Sequence, residues 1–415
     1  MIFLYNCLVG LSWNLLRLVA FFDPKIALFV RGRQQSFARL EAALEKNHPT
    51  IWVHAASLGE YEQGLPVMEA LKKAHPSHKM VLTFFSPSGY EVRQGNAVAD
   101  VTVYLPMDTK AKVAKFLDTV RPRLAIFIKY ELWPNYLMGL KKRRVPTVLI
   151  SALFKPEQIY FKPYGGFMRK ALLGISHFFV QNEASKQLLA QRGFPNATVA
   201  GDTRMDRVAA ILDRDNALPF MKTFKGDRPC LVAGSTWPAD EAILVPYINA
   251  NPEGPVYVLA PHNIKKEDIA QLKASITLPT LLYSERSDAN PADHKVLIMD
   301  TIGLLTKVYA YADFGYVGGG FGTGLHNTLE PAVFGIPIMV GPEYKGFFEA
   351  ETLVAKGGIK SVGSTKEFAD TMDALRSQKK MAATMGAVNA AYVQEQKGAT
   401  RTIMEHVGPL LKEHA

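Results

Sequence analysis

Short apolar runs recur along the sequence in two series, and this pattern constrains the fold more than any other feature. Each run ends in glycine or in polar residues, and a stretch long enough for an amphipathic helix separates it from the next. Continuous apolar runs, rather than alternating ones, are typical of strands buried on both faces of a parallel sheet. The first series consists of Ile51–Ala55, Met80–Phe84, Leu124–Ile128, Thr147–Ile150, His177–Val180 and Ala197–Ala200. The second consists of Cys230–Ala233, Val256–Leu259, Val296–Met299, Phe314–Val317 and Ile336–Val340.

A polar segment at 209–228 separates the two series, so the sequence predicts an α/β protein with two doubly wound domains joined by a linker. A length of 415 residues fits two or three domains of about 100–200 residues each. We place the first domain at 31–208, the second at 229–378, and a final helical segment at 379–415 that packs back toward the first. Because open parallel sheets bind ligands beyond the carboxyl ends of their strands, we expect functional residues directly after each run, with the two domains facing a cleft.

Residues 1–30 are predicted to attach the protein to a membrane. Met1–Phe22 carries Arg17 as its one charge and is just long enough to span a bilayer at about 20 residues per crossing. Since a charge inside a span is costly, an amphipathic helix lying in the interface is the competing interpretation, and a helix packed on the soluble body is the third. Arg31 and Arg33 follow closely, which by the positive-inside rule favours a body in the cytoplasm.

The charge balance favours anionic partners. Lys and Arg total 48 against 38 Asp and Glu, which gives a formal net charge of +10. The positive residues are spread along the chain and no recognisable DNA- or RNA-binding motif is present, so nucleic acid is not the expected partner. Two cysteines, Cys7 and Cys230, exclude a disulfide scaffold or a zinc ribbon and fit a reducing compartment.

The segment HAASLGE follows the first apolar run and begins a helix. Ser57 and Gly59 allow backbone N–H groups at the helix start to face an anion such as phosphate or carboxylate. Glu60 lies in the first turn of that helix. It is either a carboxylate that complements the helix macrodipole or a general base at the edge of the cleft.

The segment KYELWPN follows another apolar run of the first series. Its charged residues, Lys129 and Glu131, stand directly beyond a buried strand and are poorly explained by packing. Either they form an ion pair at the domain edge, or Glu131 shapes a polar site in which Trp133 offers a flat surface to a sugar.

Glycine-rich segments follow two runs of the second series. Gly234–Thr236 follows the first run, and Gly318–Gly320 follows a later one and leads to the sequence HNTLEP at His326–Pro331. Glycines outside a strand end let the backbone approach a phosphate. The pattern matches neither the G-x-x-x-x-G-K-[ST] loop nor the dinucleotide fingerprint, which weakens ATPase and hydride-transfer interpretations. Asn327 is expected to cap the next helix, and Glu330 in its first turn could accept hydrogen bonds from the hydroxyls of a ribose.

Metal ligation is not predicted. Clusters with zinc spacing do not occur in the sequence. The D-x-D of Asp213, Arg214 and Asp215 lies in the polar linker rather than at a strand end, so we expect it to be solvated.

Six segments occur in the order and rough spacing of a known family: HAASLGE, KYELWPN, GDTRMD, GST, DTIGLLTKVYAYADFGYVGGG and HNTLEPAVFGIPIMVGP. With them the chain resembles, over nearly its whole length, the Kdo transferases of Gram-negative bacteria. Those enzymes transfer 3-deoxy-D-manno-octulosonic acid (Kdo) from CMP-Kdo to a lipid A precursor, lipid IVA, in lipopolysaccharide core biosynthesis. The resemblance implies a GT-B type fold with two Rossmann-like domains, the acceptor on the first and the CMP-sugar on the second. It also implies an inverting displacement and attachment to the cytoplasmic face of the inner membrane. We expect no cofactor and no metal ion.

Carried over residue by residue, the resemblance makes Glu60 the catalytic base and Glu131 a transition-state stabiliser. Arg204 stands where the family usually has a Lys with the same role, and it keeps the positive charge. Acceptor binding is assigned to Ser57, Gly59 and Lys129. Binding of the CMP-sugar is assigned to Gly234, Ser235, Thr236, Pro261, His262, Ile302, Gly303, Leu304, Gly318, Gly319, Asn327, Thr328, Leu329 and Glu330.

The sequence departs from the family pattern at three places in the second domain. His262 and Asn263 stand where the family commonly has Arg and His after the proline. Leu304 replaces a commonly acidic residue, and Gly322–Leu325 replaces a stretch that often reads Arg-Gly-Gly.

Two other functions are compatible with the residues alone. One is a GT-B transferase that moves a sugar from a UDP-sugar to a membrane lipid, which turnover of UDP-sugars in place of CMP-sugars would identify. The other is a catalytically inactive nucleotide- or lipid-binding module. The presence of both Glu60 and Glu131 at strand ends argues against that module. The sequence leaves open how many Kdo units are added.

Overall fold

Each series of apolar runs forms one parallel sheet of seven strands in the computed structural model. The structure describes residues 1–45, 48–129 and 131–412. Tyr130 of the KYELWPN segment and the last three residues of the predicted 379–415 segment therefore lie outside the described residues.

The chain divides into two units, each with one sheet. The first unit comprises residues 1–206 together with the chain from Lys397 onward, and the second comprises Arg207–Gln396. The strands of the first unit are β1 Thr50–Ala55, β2 Lys79–Phe84, β3 Val101–Tyr104, β4 Pro122–Ile128, β5 Thr147–Ala152, β6 His177–Val180 and β7 Ala197–Val199. The strands of the second unit are β8 Cys230–Thr236, β9 Val256–Pro261, β10 Thr280–Leu282, β11 Val296–Ile298, β12 Phe314–Val317, β13 Ile338–Val340 and β14 Ile359–Ser361.

The two sheets have closely related topologies. The first has the strand order β3-β2-β1-β4-β5-β6-β7, the second has the order β10-β11-β9-β8-β12-β13-β14, and neighbouring strands are parallel. In each sheet the chain builds one half outward from the first strand of the unit, β1 or β8. It then returns to the other side of that strand, to β4 or β12, and builds the second half from there. The carboxyl ends of β1 and β4, and those of β8 and β12, are thus the switch points at which open α/β sheets bind ligands.

Helices connect successive strands and cover the sheets. They are α1 Ile2–Val19, α2 Pro24–Ala43, α3 Leu58–Ala74, α4 Pro87–Arg93, α5 Lys110–Val120, α6 Pro134–Lys142, α7 Gly166–Leu172, α8 Glu183–Ala190, α9 Thr203–Ala209, α10 Pro219–Lys225, α11 Pro238–Ala250, α12 Lys266–Ser275, α13 Leu305–Val308, α14 Leu329–Ala332, α15 Phe348–Ala355, α16 Thr365–Ser377, α17 Lys379–Gln396 and α18 Ala399–Lys412.

Both faces of the first sheet are buried, as its continuous apolar strands require. Every residue of β1 is buried, and Trp52 packs edge-on against Phe116 with ring centroids 4.8 Å apart. Ile51 and Val53, the neighbours of Trp52 along β1, belong to the apolar cluster on the opposite face of the sheet. That cluster also contains Ile403 and Val407 of α18. Burial of such side chains stabilises by roughly 1.5–3 kcal/mol each, so their packing explains why α18 belongs to the first unit.

The α/β prediction and the two parallel sheets are confirmed, and each predicted run forms a strand. Three strands were not predicted, β3, β10 and β14. The sequence VTVY of β3 alternates apolar and polar residues, and the other two have three residues each. Runs this short do not stand out from loops in the sequence.

The unit boundaries differ in detail from the predicted domains. The helix α2 crosses the predicted boundary at residue 30, and α10 lies inside the predicted linker 209–228. Within the predicted 379–415 segment, α17 belongs to the second unit and α18 to the first. Asp206 joins α18 to the first unit because its carboxylate accepts hydrogen bonds from the backbone N–H groups of Gly398 and Thr400.

The N-terminal apolar segment forms α1, which packs one face on the first unit. Among the described residues α1 is the helix long and apolar enough to cross a membrane, by length and composition. Tyr5 donates a hydrogen bond of 2.7 Å to Asp108, and Trp13 lies 4.5 Å beneath the ammonium of Lys112. The opposite face exposes large apolar side chains: Phe3, Leu4, Leu8, Leu11, Leu15 and Leu18.

Candidate functional site

Glu60 lies in the first turn of α3, directly beyond the carboxyl end of β1, and is only 7% exposed. Its Oε2 accepts a hydrogen bond from the backbone N–H of Ala56, and the N–H of Ser57 also faces the carboxylate. The sequence predicts that amides at this helix start face an external anion, whereas in the structure these two face the carboxylate of Glu60. Burial raises the pKa of Glu60 to about 7, the charge of Glu131 acts in the same direction, and the Ala56 N–H and the charge of Lys129 oppose the shift. A carboxylate in this state is suited to accept a proton near neutral pH.

Glu131 lies in the loop between β4 and α6, and its Oε2 is buried. This oxygen is 3.9 Å from Nε2 of His54, a fully buried residue of β1. The sequence offered an ion pair within the KYELWPN segment as one explanation of Glu131. The structure instead brings Glu131 together with Glu60 and His54 at the switch point of the first sheet.

Lys129 directly follows β4 and is in the left-handed backbone region, with φ of 60°. A non-glycine residue in this conformation stores strain that the surrounding structure must offset, and such residues concentrate at functional sites. Its backbone N–H bonds to the carbonyl of Ile150, which fixes the loop that carries Glu131. Gly59 leaves open space at the start of α3, because a Cβ there would meet nothing within 4 Å.

Arg204 lies at the start of α9, where Asp202 holds its guanidinium. Asp202 accepts hydrogen bonds from Nε and from a terminal nitrogen of Arg204, at 2.9 and 2.7 Å. The same carboxylate accepts two bonds of 3.1 Å from the side-chain amide of Gln63, which is on α3 with Glu60. Arg204 is therefore fixed relative to the helix that carries Glu60, and its side chain stays 37% exposed.

The glycine segments of the second unit allow two strand ends to pack closely. A Cβ on Gly318 would lie 2.3 Å from the carbonyl oxygen of Ser235, and Gly319 has φ of 91°. Ser235 and Thr236 were predicted to follow the first strand of this unit, but β8 continues through Thr236. The extension is irregular, because Ser235 has φ of 54° and the pairing with β9 shifts register there.

Asp240 of α11 organises this region and is fully buried. It accepts hydrogen bonds from the hydroxyl of Tyr316 at 2.7 Å, from the N–H of Trp237 at 2.9 Å and from the N–H of Gly319 at 3.0 Å. One carboxylate thus joins the ends of β8 and β12 and caps α11.

Three aromatic rings meet beyond the ends of β8, β9 and β12. The indole N–H of Trp237 donates to Nε2 of His326 at 3.0 Å, and the planes of the two rings are nearly parallel, at 14° to each other. His262 lies over this pair, with centroids 4.5 Å from Trp237 and 4.6 Å from His326. Burial lowers the pKa of His326, in keeping with an unprotonated Nε2 that accepts the indole N–H. His262, which stands at the position of the family's Arg, is itself exposed.

The remaining predicted donor residues divide into exposed and buried groups. Asn327 and Glu330 lie together, since Asn327 donates to Glu330 at 3.2 Å and Thr306 donates to its other oxygen at 2.9 Å. Ile302 is 80% exposed, whereas Thr328 and Leu329 are buried. The exposed or half-exposed residues are Pro261, Ile302, Gly303, Leu304, Asn327 and Glu330.

Sequence reasoning missed His54, Asp202, Trp237 and Asp240. His54 and Asp202 stand inside segments that carried the resemblance, and a histidine within an apolar strand run was the available signal. Trp237 directly follows the GST segment. Asp213 and Asp215 are exposed, as predicted. Among the residues that the structure describes, no group of three or more His, Cys, Asp or Glu side chains is arranged to hold a metal ion.

Residues 31–207 match the family model described as 3-deoxy-D-manno-octulosonic-acid transferase (kdotransferase). A 3-deoxy-D-manno-octulosonic acid transferase of Haemophilus influenzae is 26% identical over 377 residues, 88% of each chain. One of the same name from Bordetella pertussis is 28% identical over 377 residues, 86% of each chain.

Among solved structures, UDP-GlcNAc 2-epimerase from Neisseria meningitidis bound to UDP-GlcNAc superposes with a TM-score of 0.59. It is 16% identical, and the match covers 86% of this chain and 99% of the epimerase, a likeness of fold alone. By fold, the protein is of the GT-B type with two Rossmann-like units. By sequence, the chain is similar to 3-deoxy-D-manno-octulosonic acid transferases, over residues 31–207 by the family model and over 86–88% of its length by these two relatives.

Proposed function

We propose that this protein is a glycosyltransferase that moves Kdo from CMP-Kdo to a lipid A precursor in lipopolysaccharide biosynthesis. Similarity to the 3-deoxy-D-manno-octulosonic acid transferases supports the reaction class and the donor. The buried carboxylate of Glu60, with its raised pKa at the switch point of the first sheet, is the observation that carries the chemistry.

Glu60 acts as the general base in this proposal. It takes the proton of the acceptor hydroxyl while that oxygen forms a bond to the anomeric carbon of Kdo, and the bond from that carbon to the CMP phosphate breaks with its electron pair going to CMP. Attack and departure on opposite faces invert the anomeric centre. A base with pKa near 7 is largely deprotonated in the cytoplasm yet still basic enough to accept the proton.

Glu131 and Arg204 assist from the same unit. The negative charge of Glu131 keeps the pKa of Glu60 high and stabilises the positive charge that develops on the sugar. Arg204 offers a fixed positive charge to the departing phosphate or to the sugar carboxylate, with Asp202 holding it in place. Ser57, Gly59 and Lys129 lie around the same strand ends and bind the acceptor.

The second unit binds CMP-Kdo in this proposal. Glu330 and Asn327 offer a carboxylate and an amide to the ribose hydroxyls, and His262 takes the place of the family's Arg at the phosphate. The left-handed backbone at Ser235, near the end of β8, presents main-chain groups to the same ligand. These groups supply the stabilisation that a divalent ion provides in other transferases, so we propose that no metal is needed.

We also propose that α1 holds the protein on the inner membrane from the cytoplasmic side, lying in the interface rather than spanning it. The contacts of α1 with the rest of the first unit extend from Tyr5 to Leu16, so no length of the helix is left to cross a hydrocarbon core of about 30 Å. Its exposed face carries the apolar side chains that such a helix buries in lipid. Replacing Leu8, Leu11 and Leu15 by Ser should release the protein from anionic vesicles in a sedimentation assay.

The direct test of the reaction is transfer in mild detergent. CMP-Kdo is generated and the generating enzymes are quenched, then purified protein, tetraacylated lipid A precursor and EDTA are added, and products are resolved by mass. We expect a mass increase of one or more Kdo units, and their number gives the product. Activity only with a UDP-sugar would assign the protein to a different transferase class. Tight CMP binding without any transfer would support the inactive binding module.

A further inference from the structure

Two buried polar atoms of the first unit face each other. Nε2 of His54 and Oε2 of Glu131 are 3.9 Å apart, and neither makes a hydrogen bond to another atom of the residues that the structure describes. His54 is fully buried on β1, so its ring cannot turn to water. Burying a polar atom unpaired is costly, and such atoms in a folded protein call for an explanation.

The other nitrogen of His54 is held by Thr83 of the neighbouring strand β2. Nδ1 is 2.9 Å from the hydroxyl oxygen of Thr83 and 3.2 Å from its carbonyl oxygen. That hydroxyl also accepts a hydrogen bond of 2.8 Å from the indole N–H of Trp52. With its lone pairs directed to Trp52, the hydroxyl can donate its own hydrogen to Nδ1, and the alternative acceptor, the carbonyl of Val53, is more distant at 3.4 Å.

A neutral ring has one hydrogen for two acceptors: the Thr83 carbonyl oxygen, 3.2 Å from Nδ1, and Oε2 of Glu131, 3.9 Å from Nε2. The Thr83 hydroxyl can itself donate to Nδ1, whereas Oε2 has no other donor among the described residues, and this difference favours the hydrogen on Nε2. If Nδ1 accepts from Thr83, the neutral ring carries its hydrogen on Nε2, directed at the carboxylate of Glu131. The opposite tautomer would place a lone pair of Nε2 against the lone pairs of Oε2. A shortening of about 1 Å would turn the present approach into a hydrogen bond of ordinary length.

We propose that His54 is a positioning residue of the transferase, which holds the carboxylate of Glu131 in place by directing an Nε2–H at its buried oxygen. The chain Trp52, Thr83, His54, Glu131 then ends beside Glu60, and each group in it donates to the next. The inference rests on the proposed function only for its catalytic consequence, because the tautomer is a property of the folded protein.

The consequence is electrostatic. The charged groups that face Glu60 are Glu131, which raises its pKa, and Lys129, which lowers it. Arg33 and Tyr160 are the further titratable groups coupled to Glu131. If His54 keeps the carboxylate of Glu131 oriented toward Glu60, it also keeps the pKa of Glu60 high. Without the Nε2 donor that carboxylate turns away, and the pKa of Glu60 then falls.

The first test observes the tautomer without any assay of activity. In protein labelled with ¹⁵N-histidine, long-range ¹H–¹⁵N spectra distinguish Nε2–H from Nδ1–H rings, and the signals of His54 are those missing in His54→Gln. We expect a neutral ring with hydrogen on Nε2 at pH 7.5, and a changed Nε2 signal in Glu131→Ala. A ring with hydrogen on Nδ1 would overturn the proposal, whether or not the protein transfers Kdo.

The second test compares two variants that each keep one half of the ring's contacts. His54→Gln places an amide N–H near the position of Nε2, whereas His54→Asn keeps a group near Nδ1 and presents nothing to Glu131. We expect His54→Asn to lower kcat about 10- to 100-fold, the equivalent of one hydrogen bond to a charged group, and to move the acidic limb of the kcat/KM profile to lower pH. His54→Gln should keep most of the activity and the wild-type profile.

Equal losses in both variants with an unchanged pH profile would show that His54 only packs the strand, and the positioning role would be wrong. If the wild-type protein transfers no Kdo, the proposed function fails while the tautomer measurement still decides the state of His54. If His54→Asn does not fold, the comparison of wild type with His54→Gln and Glu131→Ala in the spectra still tests the proposal.

Discussion

The switch points of the two sheets have related topology but contrasting chemistry. At the first, the buried oxygen of Glu131 and the buried nitrogen of His54 lack hydrogen-bond partners within the described part of the chain, and burial raises the pKa of the adjacent Glu60 to about 7. At the second, the buried carboxylate of Asp240 receives three hydrogen bonds from protein groups. The polar groups left for a ligand there, His262 and Asn327, are exposed.

This difference indicates that the two units have different roles in the proposed reaction. A buried carboxylate with raised pKa can take up a proton, whereas a fully hydrogen-bonded one holds a backbone in place. In the proposed reaction the first unit is therefore the place of proton transfer, and the second provides the surface of backbone, rings and exposed polar groups that binds the nucleotide. Variants in the first unit should change kcat, and variants in the second should change the affinity for the nucleotide.

The largest effect is expected for Glu60→Gln. The amide keeps the shape of the side chain but cannot take the acceptor proton, so kcat should fall about 10²- to 10⁴-fold. CMP affinity, measured by calorimetry, should stay within about twofold of wild type. Glu69→Gln, an exposed residue of the same helix, is the matched control and should have no effect. Activity of Glu60→Gln within a few-fold of wild type would show that Glu60 is not the general base.

An intermediate effect is expected at Arg204. Arg204→Ala removes the positive charge and should lower kcat/KM about 10- to 100-fold, while Arg204→Lys, which keeps the charge but loses the paired bonds to Asp202, should be less affected. Steady-state kinetics at saturating acceptor measure both. Equal losses in the two variants would mean that the fixed guanidinium geometry, rather than its charge, is what matters.

The smallest effect is expected at His262. His262→Ala should weaken CMP binding about three- to tenfold with little change in kcat, since it removes one exposed contact of about 1 kcal/mol. His262→Arg, the residue common in the family, should bind CMP at least as tightly as the wild type. A fall in kcat with unchanged CMP affinity would contradict the division between the two units.

Much of the fold could be predicted because buried parallel strands leave a local record in the sequence. Runs such as Phe314–Val317 are strands with the predicted bounds, and Glu60 and Glu131 were found because they stand where strands end. The contacts that tune these residues join distant parts of the chain. Gln63 meets Asp202 across 139 positions, and the approach of His54 to Glu131 depends on the register of β1 and β4.

In the second unit, too, the sequence could not predict contacts between distant parts of the chain. Its glycine segments were recognised, yet the sequence could not show that Gly318 packs on the carbonyl of Ser235, or that β8 continues to Thr236. Nor could it show that Trp237 and His326 share a hydrogen bond. Each of these depends on how two strand ends approach one another.

The pH dependence of single-turnover Kdo transfer tests the central claim most directly. Glu60 accepts a proton only when it is deprotonated, so a pKa raised to about 7 predicts a rate that is low at pH 5.5, rises through pH 7 and levels off above it. Glu131→Gln removes the charge that raises this pKa, so its acidic limb should lie at lower pH. A wild-type rate that is flat from pH 5.5 to 8.5 while chemistry is rate-limiting, or a limb that persists unchanged in Glu60→Gln, would contradict the assignment of Glu60 as the base.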